Sequence, residues 1–165
     1  MKPLEPPDSF HLQAAQGWLE LGSHTEANEE LEKIAPELRA HPAVLEVRWE
    51  ICAKAKEWDA ALEIASALVQ VVPAHPLGWL HRSSALHELK RTQEAVYNLQ
   101  RVVDRFTGDA IIRYNLACYE CQLGNLHEAM FWFQAACEIG DGNELKLMAL
   151  EDPDLEPLWK DIGST

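Results

Sequence analysis

Apolar residues in this chain recur at intervals of three and four, in stretches long enough for amphipathic helices, and short polar breaks separate the stretches. The pattern then repeats itself. Ala27, Ala61, Ala95 and Ala129 stand 34 residues apart each time, and each closes a similar run: LGSHTEA, AKEWDAA, LKRTQEA and LGNLHEA. Four residues beyond each alanine come Leu31, Ala65, Leu99 and Phe133, and three further on Ile34, Leu68, Val102 and Ala136. Self-similarity at a fixed period of this length marks a stack of helical units.

With starts at Asp8, Pro42, Pro76 and Ala110, the units span 8–41, 42–75, 76–109 and 110–143, after an N-terminal extended segment at 1–7. Each divides into two helices. Pro42 and Pro76 suit a helix start, where the missing N–H is not needed. The first helix breaks at Gly22, Lys56, Lys90 and Gly124. Glycine there supplies the left-handed conformation that ends a helix; the two lysines require a turn that tolerates a side chain. Second helices run through the alanine column, with Pro73 ending that of the second unit and Pro36 shortening that of the first. Alanine is expected where two helices cross closely, because a larger side chain would hold the axes apart. One helix pair cannot bury both its faces, so the units must stack.

These columns resemble the tetratricopeptide repeat, W-x2-L-G-x2-Y…A-x3-F…P. The last full unit is most similar, with Tyr114-Asn115-Leu116-Ala117 in the first-helix core, Gly124 at the turn and Ala129-x3-Phe133 in the second helix. Trp79 holds the tryptophan column in the third unit, and Pro73 the closing proline in the second. Trp49 departs from the pattern by standing where a small residue is expected, as do Arg48 and Arg82 where leucine is common. The resemblance covers Asp8 to Asn143 and implies an all-α, right-handed solenoid of four helix-turn-helix repeats plus C-terminal capping helices. The cap, 144–165, starts a helix near Glu144, is interrupted at Pro153 and resumes around Leu155 to Lys160. Leu147, Leu150, Leu155, Leu158 and Trp159 are expected to cover the last repeat's apolar face. This ending is similar to that of many stand-alone bacterial tetratricopeptide chains.

Charge narrows the partners. Acidic side chains number 27 against 14 basic ones, a formal charge of −13, which argues against nucleic acid and against an anionic membrane surface. No window approaches the ~18 unbroken apolar residues of a spanning helix. The opening MKPLEPPDSFHL lacks the apolar core of a signal peptide, so a cytoplasmic location and reduced thiols are expected for Cys52, Cys118, Cys121 and Cys137.

Cys118 and Cys121 form a C-x-x-C, which can be a redox pair, half a zinc site, or two small residues on a helix. A redox pair places its first sulfur at a helix N-terminus, whereas Cys118 falls about two turns inside a predicted helix. Zinc needs four ligands, and only His81 and His87, on the neighbouring unit's first helix, are near candidates. The reading is therefore two small residues on a helix face, with no metal and no cofactor. His24, His41, His75 and His127 fall at turns or helix starts, where capping or solvated roles are commonplace. The six tryptophans suit packing between repeats. No H-E-x-x-H, nucleophile elbow or phosphate loop occurs, so no enzyme is expected.

The resemblance also implies that the first helices line a concave groove. Mapped here, its exposed positions are Leu12, Gln13 and Gln16, then Glu46, Val47 and Glu50. The third repeat contributes Leu77, Leu80, His81, Ser84 and His87, and the fourth Ile111, Tyr114, Asn115, Cys118 and Cys121. Some members of the family clamp the C-terminal carboxylate of heat-shock chaperones; only Asn115 matches that set, and Glu46 and Glu50 would repel an anion. The expected function is a non-enzymatic protein-interaction module, an adaptor whose groove takes a peptide or helix with apolar side chains and some positive charge. A second reading is a secretion-type chaperone for one dedicated client. The groove's occupant could instead be segment 1–7 or a second copy of the chain, as in a homodimer.

Overall fold

Capping chemistry sets where the helices begin. The computed structural model describes residues 3–164, so Met1 and Lys2 of the N-terminal segment and Thr165 of the cap lie outside the described residues. Ten α-helices appear among the described residues, and no strand: α1 (Asp8–Glu20), α2 (His24–Glu32), α3 (Pro42–Ala55), α4 (Trp58–Val71), α5 (Pro76–Glu88), α6 (Thr92–Gln100), α7 (Ala110–Gln122), α8 (Leu126–Ile139), α9 (Gly142–Glu151) and α10 (Trp159–Gly163). His41 and His75 stand one period apart and do the same work. Each ring Nδ1 accepts a hydrogen bond from the N–H two residues on, Ala43 at 3.2 Å and Leu77 at 3.3 Å, satisfying a donor that the first helical turn leaves free. Asp109 caps α7 through Ile111 and Ile112, and Asp141 caps α9 through Asn143 and Glu144.

The turn between paired helices is one conformation used four times. Gly22, Lys56, Lys90 and Gly124 have φ of 79°, 59°, 63° and 81°. Two lysines thus hold a left-handed backbone that L-residues enter at a cost of about 1–2 kcal/mol.

The chain divides into two compact units between Ala85 and Leu86, within α5. In the N-terminal unit α1, α2 and α3 pack together around Ala15, Leu19, Ala27, Leu31, Ile34, Val44, Val47 and Ile51, with Leu4, Leu12 and Leu38 resting on that core. Ala27 and Ala61 are fully buried, as the close helix crossing requires. The C-terminal unit buries Ala95 and Ala129 just as completely, among Leu99, Leu116, Phe133 and Ala136. Each fully buried leucine in these cores contributes roughly 1.5–3 kcal/mol by removal from water.

Two expectations need correcting. The small-residue column holds in α1, α5 and α7, where Ala15, Ser83 and Ala117 are fully buried, but α3 has Trp49. There the buried residues are Val44, Leu45, Val47 and Ile51, and the Trp49 indole stacks on His81, rings 3.7 Å apart and 10° from parallel. Val47 is consequently core, not groove. The second correction concerns the cap. Leu155 and Leu158 are buried, and the half-buried Trp159 donates its indole N–H to the carbonyls of Ala149 (2.8 Å) and Asp152 (3.2 Å). Leu147 and Leu150, however, face outward; Leu145 and Ala149, one helical turn apart, are the buried pair of α9.

Candidate functional site

The first-helix faces differ between the two units. In the N-terminal unit, Gln13 and Gln16 of α1 and Glu50 of α3 are exposed, and Glu46 is half-buried. Glu46, Trp49, Glu50 and Ala53 follow helical spacing along one stripe of α3, opposite Val44, Val47 and Ile51. Among the described residues Glu46 and Glu50 stand without an ion pair, in contrast to Glu32 of α2, held by Arg48 at 2.7 Å and Arg39 at 2.9 Å. Leu77, Leu80, His81 and Ser84 of α5 are all half-buried. Burial lowers the His81 pKa to about 4, so the ring stacked on Trp49 is neutral at physiological pH. Leu12, by contrast, leans on the core. On another side of α3 lies a cleft of about 600 Å³ lined by His24, Asn28, Arg48, Cys52 and Ile64, whose Arg48 is already engaged by Glu32.

In the C-terminal unit the equivalent face is covered by the chain itself. The segment Pro153–Leu158, a run of tight 3-10 turns, lies against α7. Asp152 accepts a hydrogen bond from the Tyr114 hydroxyl at 2.9 Å and from Cys118 Sγ at 3.5 Å. Gln122 donates to the Asp154 carbonyl at 2.9 Å, and the Asp154 carboxylate sits 3.4 Å from His87 Nε2. The His87 ring also stands 4.9 Å from that of Tyr119. Tyr114, Cys118 and Cys121 are therefore buried and unavailable to a partner while this segment is in place; of the expected positions on α7, Ile111 stays exposed and Asn115 half-buried.

The same cover shapes the surroundings of the C-x-x-C. Both sulfurs are free thiols. Burial, followed by the nearby Asp152 carboxylate, raises the Cys118 pKa far above its ordinary value, and burial with Asp154 and Asp152 raises that of Cys121. A thiol held protonated is a poor nucleophile and a poor ligand. Among the described residues no three of the His, Cys, Asp and Glu side chains converge into a set that could hold a metal ion. No helix among them is long and apolar enough to cross a membrane.

Trp49 is the residue that the family columns misplace, and a signal for it exists. Arg48 stands where the columns would bury a leucine, whereas Val44, Val47 and Ile51 make an apolar stripe at helical spacing on the same helix. The docking of the C-terminal segment on α7 has no local signal; it depends on the chain returning from 38 residues away, the separation of Tyr114 and Asp152.

No protein-family model matches the chain, and no curated protein matches it in sequence. Solved structures do match. MamA 41-end from Desulfovibrio magneticus RS-1 is 18% identical, with 98% of this chain and 94% of that one aligned at a TM-score of 0.72. A MamA RS-1 ArsTM double mutant is 16% identical over 85% of this chain and 79% of its own, TM-score 0.71. MamA MSR-1 is 18% identical over 82% and 78%, TM-score 0.68. MamA is a tetratricopeptide-repeat protein. Likeness of this extent, together with the 34-residue columns, establishes that the chain has the all-α tetratricopeptide-repeat fold, with four helix-turn-helix repeats and C-terminal capping helices.

Proposed function

We propose that the chain is a non-enzymatic protein-interaction module, and that its partner segment docks on the first-helix faces of the N-terminal unit. The candidate surface is Gln13 and Gln16 of α1, Glu46 and Glu50 of α3, and Leu77, Leu80, His81 and Ser84 of α5. The observation that carries this reading is the contrast between two first-helix faces: that of α7 is covered by residues 152–158, whereas the half-buried Glu46 and the exposed Glu50 have no ion pair among the described residues and share a stripe of α3 with Trp49, which stacks on His81. Two carboxylates beside half-buried leucines suit a peptide or helix that carries apolar anchors and a lysine or arginine. Nucleic acid and anionic membrane surfaces do not fit an acidic face on a chain of charge −13.

The test begins with pull-down from the native cell and mass spectrometry, then verification of one partner with purified components. Glu46→Lys with Glu50→Lys should weaken that partner about tenfold or more at low ionic strength, mostly through a slower on-rate and lost pairing. Unchanged affinity would mean that the partner docks elsewhere.

A further inference from the structure

In the C-terminal unit, residues 152–158 sit on α7 as a bound peptide would. Asp152 Oδ2 accepts hydrogen bonds from the Tyr114 hydroxyl at 2.9 Å and from Cys118 Sγ at 3.5 Å. Gln122 donates to the Asp154 carbonyl at 2.9 Å, and His87 Nε2 lies 3.4 Å from the Asp154 carboxylate. These four side chains can all donate a proton, and Leu155 and Leu158 supply buried apolar anchors. A few oriented polar contacts with apolar anchors between them are how a peptide is recognised in a groove. The placement is also selective. Tyr114 and Cys118 stand two 34-residue periods after Glu46 and Glu50. Carboxylates at those places on α3 would repel the acidic run Asp152-Pro153-Asp154-Leu155-Glu156, whereas a phenol and a thiol on α7 hold it.

We infer that residues 152–158 are an internal competitor: they keep closed a peptide site made by His87, Tyr114, Cys118 and Gln122, whose outside ligand is a partner protein's segment of the same chemistry, two carboxylates one residue apart and then a leucine. The cover is built to move as a unit. Asp152 Oδ1 accepts from the Asp154 N–H at 2.9 Å, and the Asp152 carbonyl from the Leu155 N–H at 3.0 Å. The Trp159 indole N–H ties the same turn to the end of α9 through the carbonyls of Ala149 and Asp152. None of these bonds involves α7, so the segment keeps its shape off the site. Its seating also carries an electrostatic cost. Burial, with Asp152 and Glu88 close by, raises the Asp154 pKa against the pull of His87 and Lys90. Attachment to α9 offsets that cost, because a short tether holds the segment at an effective concentration of about millimolar. An outside segment therefore displaces the cover: it shields Cys118 and Cys121 in its turn and sets residues 152–158 free.

Amide hydrogen exchange of the full chain, resolved by NMR, reads whether the cover opens by itself. The N–H groups of Asp154 and Leu155 should exchange at least about a hundredfold faster than those of Leu116 and Ala117 inside α7. Equal rates would mean that the cover leaves only when the unit unfolds, and would overturn the inference without any variant having to fold. The ligand class is read by thiol labelling, with each cysteine followed by peptide mass spectrometry. Asp152→Ala with Asp154→Ala should speed labelling of Cys118 and Cys121 about tenfold or more. A synthetic peptide of residues 151–160 should then restore the shielding saturably, and the same peptide carrying Asp152→Asn and Asp154→Asn should not. Labelling as slow as in the wild type, a peptide that gives no protection, or equal protection by the neutral peptide overturns the inference. A wild-type dimer in sedimentation, with this segment exchanged between copies, would make a second copy the ligand and overturn the assignment to a partner protein. Partner affinity at Glu46 and Glu50 is a separate readout, so the groove reading and this one can fail independently.

Discussion

The first helix of the second repeat and that of the fourth occupy the same place in the fold and end differently. On α3, Glu46 and Glu50 face outward without ion pairs among the described residues. On α7, Tyr114, Cys118 and Gln122 all contact the segment from Asp152 onward. Among the described residues, one face has no segment of the chain's C-terminal cap against it; the other is covered by its own chain. Position in the repeat therefore says which residues can face outward, and the rest of the chain decides which of them do.

The largest test of this contrast is removal of the anchor that holds the cover in place. Leu155 is fully buried, so Leu155→Ala should cost about 2–4 kcal/mol by lost burial and cavity. Because it acts on the cover itself, Cys118 and Cys121 should react faster with a thiol reagent under native conditions. A stability loss with no gain in thiol labelling would mean that something other than this segment shields the sulfurs, and the contrast with α3 would dissolve.

Next in size is a pH effect confined to the open face. The His81 pKa falls from an ordinary 6.5 to about 4 on burial. The unfolded chain thus binds the proton more readily than the folded one between those values. Stability attributable to His81 is full above pH 6.5 and is lost as pH falls toward 4. For a half-buried ring the loss is about 2 kcal/mol. Comparing urea unfolding of wild type and His81→Asn across that window isolates it: the variant should show the shallower decline. Parallel curves would place His81 in water instead of against Trp49.

Much of this was legible before any coordinates. The alanines at 27, 61, 95 and 129, and the two columns after them, are buried at every repeat. Capping or solvated roles were expected for His24, His41, His75 and His127, and of these His41 and His75 cap helix starts. What failed was rotation about a helix axis. A consensus column assigns Val47 to the surface, yet the valines and isoleucine of α3 bury together, and the Trp49 indole N–H is buried without an acceptor among the described residues. In α9 a similar choice between Leu147 and Leu145 went to the residue that shares a face with Ala149. Rotation of this kind is decided by the volumes of three or four neighbours, which a period cannot encode.

The smallest effect tests whether the two units differ in anything besides what covers them. Each holds one glycine and one lysine at the left-handed turn: Gly22 and Lys56 in the first, Lys90 and Gly124 in the second. Both lysines are exposed, so nothing is gained from their side chains in the core. Replacing lysine by glycine relieves the strain of a positive φ, about 1–2 kcal/mol, and returns part of it as extra freedom in the unfolded chain, about 0.5–1 kcal/mol. Lys56→Gly and Lys90→Gly should therefore each stabilise by about 0.5–1 kcal/mol in urea unfolding, and by the same amount as each other. Equal gains would mean that the repeat backbone is indifferent to its unit, so that the opposite fates of α3 and α7 come only from the segment after Asp152. A loss at either lysine would mean that its side chain holds the turn, and that the repeats differ below the level of their faces.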